Sequence, residues 1–415
     1  MLNIIKNNNL VNISEQTIII LTGFFIFIIP FPFNTSAQEI SFYFSAAILL
    51  LLIIRKRTVF SFNSPFTVPF ILFSLWVLFC IPFALDKGNS LHDFYTHLLK
   101  YLIIFYLLIN YFKSQRRFLI LSWIVVVSIM TFTIGGLIYF YFLKGIALQH
   151  RFGLPEAGVD INHIGFLAAP ALFVAIPLSA GSNVYKKIFL CLSIIATALA
   201  IVLSGTKGAL LGVIVPIMFF IAKYKKIIMV TLLCLSLFIV ITPFKNKLNV
   251  QALQDSVAAE IKTYRFPIWH AYVQIIKEHP VGGIGYGMQS YNRDFFIKNN
   301  FQLPHPAGSK NDRSFFMPHN TLIDLAVRTG IIGVCFFLYC FYTFFRIGWL
   351  LYKDKKDVFT SNWALCLMAC GLSLLIQGMF ADLMIGLQLI YLFIFFAMIN
   401  ILWQIKTTDN NFLKQ

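Results

Sequence analysis

The chain has 415 residues, of which 59% are hydrophobic, 46 are Phe and only 12% are charged, with a mean hydropathy of +0.80. A soluble domain is about half apolar and about a quarter charged, so this composition excludes a water-soluble globular protein and implies one multi-spanning membrane domain. The 33 basic residues against 16 acidic give a net charge of +17, but they form no single patch with base-stacking aromatics, which argues against nucleic acid as a partner.

A bilayer core needs roughly 17–25 residues of helix. In chain order the apolar runs predict spans at 17–33, 40–54, 66–85, 98–112, 117–143, 163–180, 187–203, 208–222, 226–243, 321–345, 362–378 and 383–403. Thr35-Ser36-Ala37 loosely resembles a signal cleavage site, but the apolar segments that follow favour a retained first span. The expected fold is an all-α polytopic membrane protein with about 12 transmembrane helices. Basic residues cluster after every even-numbered span: Arg55-Lys56-Arg57, Lys113 with Arg116 and Arg117, Lys186-Lys187, Lys223 with Lys225 and Lys226, Arg346 with Lys353, Lys355 and Lys356, and finally Lys406 and Lys414. Cytoplasmic loops collect Lys and Arg, so both termini are expected in the cytoplasm. The net charge is then mostly a topology signal that also suits an anionic inner leaflet.

The loop between spans nine and ten, 244–318, mixes Pro, Gly, aromatic and charged residues and reads as a packed cap on the outer face. The expected organisation is therefore 1–243 as helices one to nine, 244–318 as a loop domain, and 319–415 as helices ten to twelve with a cytoplasmic tail. No internal repeat is evident, which counts against repeat-built transporters. All seven cysteines lie in apolar segments, so a disulfide-stapled outer domain is excluded and core packing is their expected role. None has zinc-like spacing beside histidines.

Three outer positions combine charge with apolar surroundings. In VLSGTKGALLG, residues 202–212, the glycines allow a tight turn between spans seven and eight. Lys207 there either snorkels to the interface or meets an anion. In KTYRFPIWHAYVQIIKEHPVGGIGYG, residues 262–287, Pro267 suits a first helical turn, and Ile268, Trp269, Tyr272, Ile275 and Ile276 have helical spacing. Arg265 then lies just ahead of a helix N-terminus, where a cation opposes the macrodipole and a shared anion would relieve the conflict. The alternative is an ordinary surface arginine. Gly282, Gly283, Gly285 and Gly287 do not match a nucleotide fingerprint and read as a tight loop whose backbone could approach a ligand.

In FFMPHNTLIDLAVRTGIIG, residues 315–333, Asn320 or Thr321 can cap a new helix. His319 is then at that helix's positive end, a setting that suits the neutral imidazole a general base needs. Asp324 and Arg328 have the spacing of an intrahelical ion pair at the outer interface. Asn162, in the Asp160–His163 stretch, and Asp382 ahead of the last span are weaker candidates: the first could simply cap a helix and the second mark a turn.

SGTKG between two spans, Arg265 with Trp269, HPVGGIGYG and then PHNTLIDLAVRTGIIG form an ordered set that resembles the O-antigen ligase and polymerase superfamily. The resemblance covers roughly residues 150–400 and is closest to O-antigen ligases. It implies a GT-C-like fold with the large loop in the periplasm. The implied reaction transfers glycan from undecaprenyl diphosphate to a lipid A–core oligosaccharide, at the bacterial inner membrane and without a cofactor. It further implies that Arg265 and Lys207 hold the donor diphosphate, that His319 is the catalytic histidine, and that Asn320, Asp382 and Asn162 are supporting positions.

One departure stands out. The family's turn usually carries Arg where this chain has Lys207, and Lys keeps the charge but not the bidentate fork. No outer-face D-x-D or metal-spaced cluster is present in the sequence, so metal independence is expected. A glycan polymerase and a protein-glycosylating ligase use similar parts. A lipid-linked glycan transporter would place charges near the bilayer midplane instead.

Overall fold

The computed structural model describes residues 2–31, 34–58, 60–148, 150–154, 161–218, 265–288, 297–300, 317–381, 383–384 and 386–412. Within them the chain is helical: α1 Leu2–Ile28, α2 Thr35–Ile54, α3 Thr67–Cys80, α4 Lys87–Asp93, α5 Lys100–Tyr111, α6 Gln115–Leu137, α7 Ile161–Ala180 and α8 Val184–Ser204. A shorter apolar helix, α9, covers Lys207–Met218. It is followed by α10 Phe266–Glu278, α11 Thr321–Lys353, α12 Val358–Gly378 and α13 Gly386–Phe412. A wider π turn, Phe94–Leu99, joins α4 to α5.

Among the described residues nine helices are long and apolar enough to cross a membrane, and the protein is a multi-pass membrane protein. The expected third and eighth spans are the shorter helices Thr67–Phe83 and Lys207–Met218. The expected ninth span and most of the 244–318 loop lie outside the described residues. The first span is shifted toward the N-terminus, to Val11–Ile28, because Pro30 disfavours helical geometry just before it. Gln38 of α2 then closes the hairpin, its buried amide donating to the Ile28 carbonyl at 3.1 Å and the Phe31 carbonyl at 3.4 Å.

The last helix is central. Leu389 to Ile399, with Ile401 and Leu402, are all buried; a helix apolar on every side belongs in a core rather than at an edge. The phenylalanine content is spent largely here. Phe70 meets Phe105 edge-on at 4.9 Å and stacks on Phe393 at 5.2 Å, while Phe66 stacks on Phe396 at 5.1 Å. With lipid as apolar as leucine, helix association depends on such close packing. The outward face carries exposed apolar residues such as Phe44, Ile54, Phe79, Phe142 and Tyr185, a surface that suits acyl chains and not water. Four cysteines, Cys80, Cys340, Cys366 and Cys370, pack in the core as expected, but Cys191 and Cys335 are exposed on that outward face.

Candidate functional site

Lys406, late in α13, pairs at 2.6 Å with Asp354, which follows α11, and Lys186 lies at the start of α8. The opposite helix ends carry the candidate residues. There the α8–α9 turn is closed by Gly205, which takes a left-handed conformation at φ 62° and caps α8 as glycine commonly does. The Ser204 and Thr206 hydroxyls share a hydrogen bond of 2.7 Å, and the Leu210 N–H donates to the Thr206 carbonyl at 3.1 Å. Half-buried Lys207 is thereby the first residue of α9. A Cβ on the next residue, Gly208, would lie 3.0 Å from the Cβ of Phe380, so this turn is pressed against the segment that follows α12.

Arg265 stands at the N-cap of α10, with Pro267 in the first turn. Its guanidinium carbon lies 5.8 Å from the centre of the same Phe380 ring, a cation–π distance. The helix is fixed by Ile268, Tyr272 and Ile275, which pack with Ile284 and Val327; these are the apolar positions whose spacing predicts it.

His319 sits at φ 48°, an uncommon conformation for a residue with a side chain. It is held from both neighbours. Trp269 Nε1 donates to the Pro318 carbonyl at 2.7 Å. Asn320 caps α11, its Oδ1 accepting from the N–H groups of Leu322 and Ile323 at 3.0 and 3.2 Å. The Asn320 amide also donates to the Met379 carbonyl at 3.4 Å, and the Leu383 N–H donates to the buried Thr321 hydroxyl at 2.9 Å. The segment around Phe380 is therefore common ground. It touches the Lys207 turn, the Arg265 side chain and the His319–Asn320 cap, and brings three sequence-distant positions to one place.

Asn162 lies in the first turn of α7 rather than at its cap. That turn leads into Gly165, where an added Cβ would lie 2.5 Å from Ala209 and 3.2 Å from the Thr206 hydroxyl, so the start of α7 runs beside the Lys207 turn. Asp382 lies outside the described residues.

Two expectations need correction. Of the glycines of 282–287, Gly283 lies against the α11 backbone at Val327–Thr329, while Gly282, Gly285 and Gly287 lie closest to the side chains of Cys80, Ser90 and Asn89. Gly330 interrupts α11 at φ 69°, ψ 179°, a conformation open essentially to glycine alone. The interruption strands carbonyls and an N–H that the loop and a neighbouring helix then satisfy. The Ile284 N–H donates to Val327 at 2.8 Å, Gly285 to Arg328 at 3.2 Å, and Ile331 to the Pro280 carbonyl at 2.9 Å, while Trp76 Nε1 donates to Thr329 at 2.8 Å. A Cβ on Gly330 would fall 1.8 Å from the Val281 oxygen. Gly283 and Gly330 let main chain lie on main chain.

The second correction concerns Asp324 and Arg328. They do pair, at 3.6 Å, but at 0% and 1% side-chain exposure, inside the protein and not on its surface. Arg328 Nε also donates to the Tyr286 carbonyl at 2.8 Å and its guanidinium stacks on the Tyr286 ring at 4.4 Å. Burial pushes the Tyr286 phenol up to about 12, against the pull of Arg328, so this ring stays neutral. The Met288 N–H donates to buried Asp93 at 2.7 Å, which fixes the far end of the same loop.

Sequence reading missed Arg151 and Phe380. Arg151 is exposed, yet its Nε donates to the Ser204 carbonyl at 2.8 Å and Nη2 to the Gly205 carbonyl at 3.2 Å, two residues from Lys207. No motif surrounds either residue, and only three-dimensional adjacency reveals them. Residues 192–338 match the family model described as O-antigen ligase. That stretch includes Lys207, Arg265, His319 and Asn320. None of the curated proteins matches the chain.

Proposed function

From the match of residues 192–338 to the O-antigen ligase family model, we propose that the chain is a member of that family and joins a glycan carried on undecaprenyl diphosphate to a lipid A–core oligosaccharide. The reaction takes place on the periplasmic side of the inner membrane, with both termini in the cytoplasm. The distribution of Lys and Arg supports that orientation, since the basic turns and the candidate residues occupy opposite helix ends. In this reading 1–243 and 319–415 form the membrane domain, 244–318 caps it from the periplasm, and expected span 226–243 completes a twelve-helix bundle.

The observation that carries the proposal is the gathering of the Lys207 turn, Arg265 and the His319 cap around Phe380. The donor arrives activated, because its leaving group is a diphosphate. The acceptor hydroxyl oxygen attacks the anomeric carbon from the face opposite that leaving group. As the new C–O bond forms, the bond to the diphosphate oxygen breaks and the configuration inverts. His319 takes the hydroxyl proton. The electron pair goes to the diphosphate, whose growing charge Arg265 and Lys207 offset. Arg265 can grip through its planar fork, whereas Lys207 contributes a point charge. Asn320 positions the histidine by capping α11, and Asn162 and Asp382 complete the surround. These side chains supply charge and base by themselves, so the reaction proceeds without a metal.

The test is purified protein with lipid-linked glycan and rough lipopolysaccharide, assayed for joining without nucleotide or added metal. Glycan on the lipopolysaccharide supports the reading. Elongation of the donor glycan would mark a polymerase, transfer to an exported protein would mark a protein-glycosylating ligase, and donor consumed in none of these ways would refute glycan transfer.

A further inference from the structure

We propose that Arg151 is a third cation of the donor site, gripping the diphosphate from the α8–α9 turn that carries Lys207; this rests on the diphosphate reading given above. An exposed arginine is ordinarily free to sample many rotamers. Arg151 is not. The Phe152 side chain beside it is 0% exposed, and the Phe152 N–H donates to the Leu203 carbonyl at 2.8 Å, so the backbone is anchored to the end of α8. The side chain is fixed by its two bonds to Ser204 and Gly205.

Those bonds occupy only one edge of the guanidinium. A planar guanidinium that donates sideways through Nε and Nη2 keeps its Nη1–Nη2 edge directed away from the same carbonyls, and that edge is the fork that matches phosphate. Among the described residues no carboxylate lies within ion-pair distance of Arg151. The carbonyls at the end of α8 offset the charge only in part. Gly205 makes the arrangement possible, because a Cβ there would come within 3.2 Å of the Arg151 Nε.

The placement also answers the departure at position 207. The turn there carries a lysine, without bidentate geometry, while the turn's own carbonyls hold an arginine beside it. Arg151 supplies the fork that Lys207 lacks.

The experiment measures binding of inorganic pyrophosphate to the full-length protein in lipid nanodiscs by calorimetry, for wild type, Arg151→Gln and Arg151→Lys, with melting temperatures alongside. Gln keeps a donor for the turn carbonyls and loses the charge; Lys keeps the charge and loses the fork. A charged hydrogen bond is worth roughly 1.5–3 kcal/mol, so Arg151→Gln should weaken binding by about tenfold or more, with Arg151→Lys in between and melting unchanged. Lys207→Arg in the Arg151→Gln background should recover part of the loss. Unchanged affinity in Arg151→Gln would overturn the proposal, as would equal losses in both variants accompanied by lower melting, which would mark a purely structural cap. A wild-type protein that does not bind pyrophosphate also overturns it. Wild-type binding that depends on Arg151, in a protein that transfers no glycan, would sustain the anion site and refute the transfer reading.

Discussion

The indole of Trp269 donates to the carbonyl of Pro318 at 2.7 Å, so the helix that begins at Arg265 is tied to the residue before His319. Replacing Trp269 with Phe keeps the ring and removes the donor. A partly buried carbonyl left without its partner costs about 1–3 kcal/mol. Part of that cost should appear as misalignment of Arg265 and His319, lowering kcat by about tenfold with little change in KM. A Trp269→Phe enzyme with wild-type kcat would show that this tie does not position the two residues.

His319 occupies a left-handed backbone conformation, so alanine would change both the chemistry and the local geometry. Asparagine tolerates that conformation and cannot act as the base. His319→Asn should therefore be inserted and folded normally while losing transfer by about 10²–10⁴-fold. Wild-type turnover in this variant would remove the base assignment.

At the α8–α9 turn, Lys207→Arg should retain activity within a few fold, because the charge is preserved and the added fork favours diphosphate. Lys207→Gln and Arg265→Ala should each raise donor KM and lower kcat, with combined losses of about 10²-fold or more. Transfer rates in EDTA should match those in its absence. A rate restored only by divalent cation would contradict a site built from side chains alone.

The buried Asp324–Arg328 pair predicts a stability effect away from the chemistry. Arg328→Met leaves Asp324 without its guanidinium and the Tyr286 carbonyl without its donor. Breaking such a pair costs about 3–5 kcal/mol, readable as a lowered melting temperature in detergent. The double variant Asp324→Leu with Arg328→Met should recover much of it, since neither charge is then stranded. A double variant as unstable as the single would mean that the pair's other hydrogen bonds, and not its charge balance, matter most.

The long apolar runs were readable because their period and length are set by the bilayer, and the cap at Asn320 because asparagine before an apolar helical pattern has a local cause. The spacing of Asp324 and Arg328 was equally visible, but their burial was not, since it depends on Tyr286, 42 residues away in sequence. The break at Gly330 left no mark either. The run from Thr321 onward is uninterrupted in hydropathy, and a lone glycine in such a run does not specify a kink. Within the site, Lys207, Arg265 and His319 stood out as charged or titratable side chains beside apolar runs. Arg151 and Phe380 did not, because an isolated arginine and one more phenylalanine carry no signal until the fold places them.

The seam between the 280–287 loop and the broken helix has a further consequence. Backbone meets backbone at Gly283 and Gly330, and any residue carrying a Cβ at either position would collide with main chain there. Such a joint cannot be retuned by gradual substitution at those two positions. Variation in what the site accepts has to be inscribed in other residues, leaving this joint as a fixed datum.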